Sequence, residues 1–309
     1  MQRTIEIMDT TLRDGEQTNG VSFVPHEKLS IARLLLRDVN VNRIEVASAR
    51  VSEGEKEAVK AICRWARQAD RIDDVEVLGF VDGHTSVDWI DDCGCKTLNL
   101  LCKGSLRHLT YQLKKTIDEH VDDIWQCVDY AASKGIGVNI YLEDWSNGMK
   151  DSPEYVRKLV TALKDAPVKR FMLPDTLGVL MPDDVSKYIG MMKEWFPEIH
   201  FDFHAHNDYG LAVANALAAV QAGVDGIHTS INGLGERAGN APLSSVQAAV
   251  NDHLGIKTSI NEEKLNAAAK IVEGFSGIAV PPNQPIVGDS VFTQVAGVHA
   301  DGDNKNNLY

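Results

Sequence analysis

The stretch His200-Phe201-Asp202-Phe203-His204-Ala205-His206 is strand-like, and polar side chains stand at its C-terminal end. Seven other short runs rich in β-forming residues recur along the chain. Several are apolar almost throughout, as expected of strands that are buried on both faces. The eight runs are Thr4–Asp9, Arg43–Ser48, Glu76–Val81, Thr97–Cys102, Gly137–Glu143, Arg170–Asp175, His200–His206 and Gly226–Ile231.

Helical patterns alternate with these runs. Four are amphipathic, and a fifth is rich in Ala and Val, which suits close packing on strands. They are Glu27–Leu36, Glu55–Gln68, Pro153–Lys164, Asp183–Trp195 and Gly210–Gly223. Eight βα units predict an α/β protein whose residues 1–255 form a (βα)8 TIM barrel. A doubly wound sheet is the alternative, which the number of strands does not exclude.

Polar residues favour the barrel, because they fall at or just beyond the C-terminal ends of the runs. In a barrel these ends converge on one mouth, whereas a doubly wound sheet spreads them along a line. The residues are Asp14, Asp82, Lys103, Glu143, Asp175, His204, His206 and Asn232.

Residues 256–309 depart from the βα pattern and predict a short arm after the barrel, the start of a further subdomain. Asn261–Phe275 is helical in pattern, Gly277–Pro285 is extended and proline-rich, and a polar end follows. This arm is too short for a separate domain. We therefore expect it to pack on another surface, such as a second subunit.

Composition excludes several classes of function. The net charge of −13 argues against general nucleic-acid binding, and no apolar run is long enough to predict a membrane span. The first residues contain no apolar segment typical of a signal peptide. The odd, unpatterned set of five cysteines predicts reduced, buried thiols in a cytoplasmic protein rather than a metal site.

His204 and His206 are the strongest indication of chemistry. Residues at i and i+2 of a strand share one face, so both imidazoles point the same way. Alone, they could simply be polar residues at a strand end. Together with the carboxylate of Asp14 and the amide oxygen of Asn240, they predict a divalent metal site. Oxygen and nitrogen ligands without thiolate favour Mg²⁺ or Mn²⁺, with Zn²⁺ as an alternative.

Two charged residues accompany this set. Arg13 precedes Asp14 in a loop before Gly15, where a guanidinium suits a carboxylate or a developing enolate; the alternative is a surface arginine. Glu143 ends an apolar run, which predicts either a paired structural charge or a general acid or base. The glycine-rich stretch Asn232–Asn240 lacks the spacing and position of a dinucleotide site, so we expect a loop that approaches ligand and metal.

The stretch Asp9–Gln17 resembles the signature of the DRE-TIM metallolyases, acyltransferases that condense acetyl-CoA with 2-oxo acids. This family includes 2-isopropylmalate, homocitrate and citramalate synthases. The resemblance covers essentially the whole chain and includes His204–Asp208, Asn232–Asn240 and Gly297–Gly302. It implies a metal-dependent enzyme with acetyl-CoA as co-substrate, and it implies a homodimer.

The resemblance also implies roles for single residues. Asp14, His204, His206 and Asn240 would bind the metal, Arg13 would stabilise the enolate of acetyl-CoA, and Phe80 would lie against acetyl-CoA. Thr176 would bind the substrate carboxylate, and Leu78, Leu101 and Tyr141 would form an acceptor pocket. From the residues alone, these last four could equally be barrel core. Glu143, His299 and Tyr309 would serve proton transfer and water positioning, without the sequence deciding which removes the methyl proton.

Within the family, the pocket residues resemble those of the branch that uses pyruvate and makes citramalate. They offer no basic group for a second carboxylate, and a small apolar lining suits a methyl group. The nearest alternative is an isopropylmalate synthase acting on 2-oxoisovalerate. A lyase of the 3-hydroxyacyl-CoA type and a non-catalytic barrel that binds metal and CoA are further alternatives. Full-length members continue beyond the point where this chain ends, so we expect a fragment, and amino-acid feedback is not predicted for it.

Overall fold

The computed structural model describes residues 3–293 and shows a closed barrel of parallel strands. Each strand pairs with the next along the chain, and the last pairs with the first, so the doubly wound alternative is wrong. The strands are β1 (Glu6–Asp9), β2 (Arg43–Ser48), β3 (Val75–Phe80), β4 (Thr97–Lys103), β5 (Gly137–Glu143), β6 (Val168–Asp175), β7 (Phe201–Ala205) and β8 (Gly226–Thr229). This confirms the predicted TIM barrel.

Helices surround the barrel and confirm the predicted alternation. They are α1 (Pro25–Arg33), α2 (Glu53–Gln68), α3 (Thr85–Cys93), α4 (Ile117–Ser133), α5 (Trp145–Asp151), α6 (Pro153–Leu163), α7 (Pro182–Trp195), α8 (Ala212–Ala222), α9 (Leu243–Leu254) and α10 (Leu265–Ser276). A π-helical segment, Leu34–Val39, extends α1 to the chain reversal at Asn40. The helix predicted over Asn261–Phe275 begins later, because Glu262–Lys264 forms a 3-10 turn first.

Alternation along each strand divides the core into two layers. In β3, Val75 and Val77 belong to the large apolar core shared with the helices, whereas Leu78 faces the barrel interior. The interior contains a separate apolar cluster of Met8, Leu78, Tyr141 and Met172, against which Leu101 packs. The period of two along a strand explains both layers, since successive side chains point to opposite faces.

A charged network fills the opposite, N-terminal end of the barrel. Arg43 Nη2 donates to Asp202 Oδ2 at 2.5 Å, and Arg43 Nη1 donates to Glu76 Oε1 at 2.9 Å. His200 Nε2 and His228 Nε2 lie 2.9 and 3.2 Å from the two carboxylate oxygens of Asp202. We call this group, with Glu6 and Arg170, the base cluster; Arg170 Nη1 donates to Glu6 at 2.6 Å.

The polar residues expected at the mouth divide into two groups. Asp14, Glu143, His204 and His206 line a common cavity. Lys103 does not line it and forms an ion pair with Glu143, which does. Asp82, Asp175 and Asn232 do not line it either, and each of their side chains forms a hydrogen bond to the backbone nearby. Asp82 accepts a hydrogen bond from the Ser86 backbone N–H, and Asp175 accepts one from the Leu180 backbone N–H. Asn232 donates one to the Ala269 carbonyl.

The segment after α9 packs on the outside of the barrel. The predicted boundary between residues 255 and 256 falls directly after this helix. Val280 and Val287 pack on Ala269 of α10 in a small apolar cluster of their own. Within residues 3–293 no helix is long and apolar enough to cross a membrane. All five cysteines are buried and unpaired, as predicted.

Candidate active site

A tight turn after β1 presents Arg13 and Asp14 at the mouth of the barrel. The backbone N–H groups of Arg13 and Gly15 both donate to the Thr10 carbonyl, at 3.1 and 3.0 Å. Arg13 Nε donates to Glu45 Oε2 at 2.5 Å, and Arg13 Nη1 donates to Asp14 Oδ2 at 2.6 Å. Burial alone would lower the pKa of Arg13, but the two carboxylates raise it, so the guanidinium is charged.

Asp14, His204 and His206 converge on one point. The two Nε2 atoms lie 3.3 Å apart, and they lie 3.7 and 3.9 Å from Asp14 Oδ2. Burial lowers the pKa of both histidines and leaves their imidazoles neutral. Burial raises the pKa of Asp14, but Arg13 and the histidines outweigh it and lower that pKa, which leaves a carboxylate. The three side chains are therefore in the ionisation states that metal ligands need.

The glycine-rich loop brings Asn240 to the same place. Its Nδ2 donates to Asp14 Oδ1 and to the Leu234 carbonyl, each at 3.1 Å. Its Oδ1 is buried and has no hydrogen-bond partner among the described residues. A Cβ atom on Gly235 would lie 2.5 Å from Asn240 Nδ2, so only glycine permits this approach.

These residues fit a divalent cation. Neighbouring ligands of an octahedral ion, each about 2.1 Å from it, are about 3.0 Å apart, close to the separation of the two imidazole nitrogens. One carboxylate, two neutral imidazoles and a buried amide oxygen without a partner form an oxygen and nitrogen donor set. Such a set suits Mn²⁺ or Mg²⁺ and also accepts Zn²⁺.

A cavity of about 250 Å³ opens beside this cluster. The structure brings most of the residues singled out from the sequence into its wall. They are Arg13, Asp14, Leu78, Phe80, Leu101, Tyr141, Glu143, Thr176, His204 and His206. Gln17, Ser48, Pro174 and Glu236 complete the lining. His299 and Tyr309 lie outside the described residues.

Two lining residues have partners that bear on their chemistry. Glu143 forms an ion pair with Lys103. Lys103 therefore places a cation two positions beyond Leu101 on β4, although the apolar wall itself carries no basic side chain. The Thr176 hydroxyl accepts a hydrogen bond from the Asp144 backbone N–H at 2.9 Å, which leaves its own proton available to a ligand oxygen.

Sequence reasoning missed the buried support of Arg13. Glu45 Oε1 accepts a hydrogen bond from Asn99 Nδ2 at 2.7 Å, and Asn99 Oδ1 accepts one from Asn139 Nδ2 at 2.8 Å. All three side chains are fully buried inside the barrel. The available signal was a polar residue inside an otherwise apolar strand, since burying such a residue requires a partner.

The comparisons with known proteins agree with this geometry. The HMGL-like family model matches residues 4–272. The chain belongs to the HMGL-like family. The fold is that of the hydroxymethylglutaryl-CoA lyase from Pseudomonas aeruginosa, at a TM-score of 0.77 with 20% identity, over 91% of this chain and 95% of that one.

Curated relatives carry the names of several synthases. A probable 2-isopropylmalate synthase from Ignicoccus hospitalis is 37% identical over 98% of this chain and 73% of its own length. The (R)-citramalate synthase of Methanocaldococcus jannaschii is also 37% identical, over 98% of this chain and 60% of its own length. The chain thus spans between about half and three quarters of the length of these curated relatives. The curated relatives are named as synthases, and their names do not agree on one product.

Proposed function

We propose that the protein condenses acetyl-CoA with a 2-oxo acid, and that this acid is pyruvate. The observation that carries the proposal is a single cavity in which a charged arginine, a cluster able to bind a divalent cation and a small apolar wall meet. The family supports the reaction type, and the names of the relatives leave three acceptor acids to be distinguished.

The proposed reaction forms one carbon–carbon bond. The methyl group of acetyl-CoA loses a proton to a base, and the resulting carbanion attacks the keto carbon of the acid. A cation held by Asp14, His204, His206 and Asn240 would polarise the keto group. Water then hydrolyses the thioester and releases free CoA with the hydroxy diacid. For pyruvate that product is (R)-citramalate, an intermediate of isoleucine biosynthesis.

The side chains of the cavity supply the remaining functions. Arg13, fixed by Glu45 and Asp14, presents a charged guanidinium where the enolate and then the alkoxide develop. The Thr176 hydroxyl donates to the acid carboxylate, and Glu143 exchanges protons with acetyl-CoA or water. Phe80, which is 37% exposed, offers an apolar surface to acetyl-CoA.

The polarity of the wall favours pyruvate. Leu78 and Tyr141 belong to one apolar cluster against which Leu101 packs, and an apolar wall suits the methyl group of pyruvate better than a second carboxylate. The second candidate is an isopropylmalate synthase, because relatives with that name match equally well. The resemblance of the chain to the synthases also supports a cytoplasmic homodimer. Sedimentation of the purified protein tests whether it is a dimer.

The experiment is release of free CoA from acetyl-CoA with Mn²⁺, comparing pyruvate, 2-oxoisovalerate and 2-oxoglutarate. We expect release with pyruvate alone, and none after chelation of the metal. Leu101→Ala, which enlarges the wall, should raise activity with 2-oxoisovalerate relative to pyruvate by about tenfold, the effect of one or two methylene groups. Preference of the unmodified protein for 2-oxoisovalerate or 2-oxoglutarate would overturn the assignment of pyruvate.

A further inference from the structure

The two loops that carry Asp14 and Asn240 meet along a seam. One loop follows β1 and the other follows β8, and these two strands are paired. Hydrogen bonds and the close approach of Gly15 to Leu234 hold the loops together at the mouth. At the inner end of the seam, the Thr10 backbone N–H donates to the Thr229 carbonyl at 2.8 Å. Next to it, the Ile231 backbone N–H donates to Thr11 Oγ1 at 2.8 Å. These contacts lie below the level of the metal-binding cluster.

One side chain closes the seam at its outer end. The hydroxyl of Thr18 accepts a hydrogen bond from the Gly235 backbone N–H at 2.8 Å and donates one to the Gly235 carbonyl at 3.1 Å. It therefore satisfies both backbone groups of a residue in the opposite loop. Few side chains can do this, because the group must both donate and accept.

Gly235 transmits this contact to the cluster. A Cβ atom at Gly235 would lie 2.5 Å from Asn240 Nδ2, so the Gly235 backbone is packed directly against the Asn240 amide. The next residue, Glu236, donates its backbone N–H to Asp14 Oδ1 at 3.3 Å. A movement of Gly235 must therefore move Asn240, Asp14 or both.

We infer that Thr18 is a positioning residue that fixes Asn240 against Asp14 and thereby sets the affinity of the mouth for a divalent cation. Within residues 3–293 its side chain forms hydrogen bonds to Gly235 and none to a proposed metal ligand, so it acts through Gly235. The inference rests on the proposed function only in taking these residues as the cation site. It adds a residue of the loop after β1 that the proposed mechanism does not use.

The test compares Mn²⁺ affinity among variants of the metal-free protein. Thr18→Val removes the hydroxyl at almost unchanged volume, and Thr18→Ser retains it. Thr161→Val is the matched control, because Thr161 lies on the exposed face of α6 and its hydroxyl donates to the Arg157 carbonyl one turn earlier in the same helix. Free Mn²⁺ is measured by electron paramagnetic resonance during titration. Thermal unfolding of each metal-free variant reports its fold.

We expect Thr18→Val to weaken Mn²⁺ binding by about tenfold, which is typical when a group that orients metal ligands is lost. Thr18→Ser and Thr161→Val should bind within about twofold of the unmodified protein, and all three should unfold at similar temperatures. Equal affinity of Thr18→Val and the unmodified protein would overturn the inference, as would equal losses in Thr18→Val and Thr18→Ser. Absence of Mn²⁺ binding by the unmodified protein would overturn it too.

Failure of the proposed function has a different signature. A protein that binds Mn²⁺ at this site but releases no CoA with any 2-oxo acid would refute the synthase, while the order of Mn²⁺ affinities would still decide the role of Thr18.

Discussion

The two ends of this barrel carry nearly the same chemical groups, but the distances between their histidines and carboxylates differ. The base cluster and the mouth each combine arginine, carboxylates and a pair of histidines. At the base, both histidines lie within hydrogen-bond distance of Asp202, at 2.9 and 3.2 Å. At the mouth, His204 and His206 stop at 3.7 and 3.9 Å from Asp14.

The two sets of distances distinguish a directly paired network at the base from the proposed cation site at the mouth. At the base, Asp202 is neutralised by its neighbours, and the contacts are those of direct hydrogen bonds. At the mouth, the donor atoms lie around a common point, and the buried Asn240 Oδ1 has no hydrogen-bond partner among residues 3–293. Asp202, His204 and His206 occupy successive inward positions of the same strand region, so one strand serves both ends.

The largest effect on activity should come from removing a proposed metal ligand at the mouth. Asp14→Asn removes the negative charge that the proposed cation needs. We expect CoA release to fall by about 1,000-fold or more, since losing several kcal/mol of transition-state stabilisation has that effect. Mn²⁺ titration and the steady-state rate measure the two consequences. Retention of more than about a tenth of the rate would contradict the assignment of Asp14 as a ligand.

The matching change at the base should act on stability. Asp202→Asn removes one of the carboxylates that balance the buried Arg43 and leaves Glu76 and Glu6 in place. Breaking a buried ion pair typically costs about 3–5 kcal/mol, and the remaining carboxylates put the expected loss at the low end of that range. Urea unfolding measures this loss of free energy. The rate per folded molecule should stay within about threefold of the unmodified protein. A large loss of rate with full stability would show that the base also serves catalysis.

Asp9 provides a buried carboxyl group that forms no ion pair with any residue of the part of the chain that the structure describes. Burial raises its pKa to about 7 from an ordinary 3.8, although the Thr11 N–H donates to it at 2.8 Å. Because the folded pKa is the higher one, its stabilising contribution is complete below about pH 4 and is lost as the pH rises to about 7. The change corresponds to about 4 kcal/mol, at about 1.4 kcal/mol per pKa unit.

Relative to the unmodified protein, the Asp9→Asn variant should therefore become more stable as the pH rises from 4 to 8. Any loss of stability caused by the amide itself does not depend on pH and leaves this trend unchanged. The base supplies the control. The pKa of Asp202 is lowered: burial opposes this, but Arg43 and the histidines outweigh it. Its contribution is present above about pH 4 and is lost only in acid, so ionisation of the Asp202 carboxyl itself adds no change between pH 5 and 8. A constant difference for Asp9→Asn from pH 4 to 8 would show that the pKa of Asp9 is not raised in the folded protein.

The smallest effect, on the free energy of unfolding, should come from Tyr141, which lies between the base cluster and the mouth. Tyr141 lies edge-on to both His204 and His228, and its hydroxyl is 3.4 Å from His228 Nδ1. Tyr141→Phe removes that contact and should lower the free energy of unfolding by about 1 kcal/mol. In a double variant with Asp202→Asn, the stability losses should fall short of additive. Strict additivity would mean that Tyr141 and the base are independent.

Much of the fold was predictable because its signal is local. Each strand is a short apolar run, and each run is followed by a helical pattern, so element types follow from period alone. The start of α10 was misplaced, because the residues from Asn261 onward form a 3-10 turn whose pattern is close to that of a helix. The short helix α5 was missed, since seven residues give too little periodicity.

The candidate site was predictable only in part. His204 and His206 share a strand, so their common direction follows from the sequence. Asp82 and Asp175 occupy similar strand ends, yet they cap loops, and nothing local distinguishes them from Asp14. Glu45 was overlooked because its partner Arg13 lies 32 residues away in the chain.

The sequence by itself determined the eight strands, the inward pair of histidines and the presence of an arginine beside an aspartate. These depend on residues within a few positions of each other, where backbone geometry fixes directions. Only the tertiary structure decided how closely the predicted carboxylate of Asp14 approaches the histidines, and which polar groups lack a partner among residues 3–293. Asn240 reaches Asp14 across 226 residues, and closing the barrel between β8 and β1 brings them together. Whether a histidine stops 3.2 or 3.7 Å from a carboxylate depends on how that closed barrel packs.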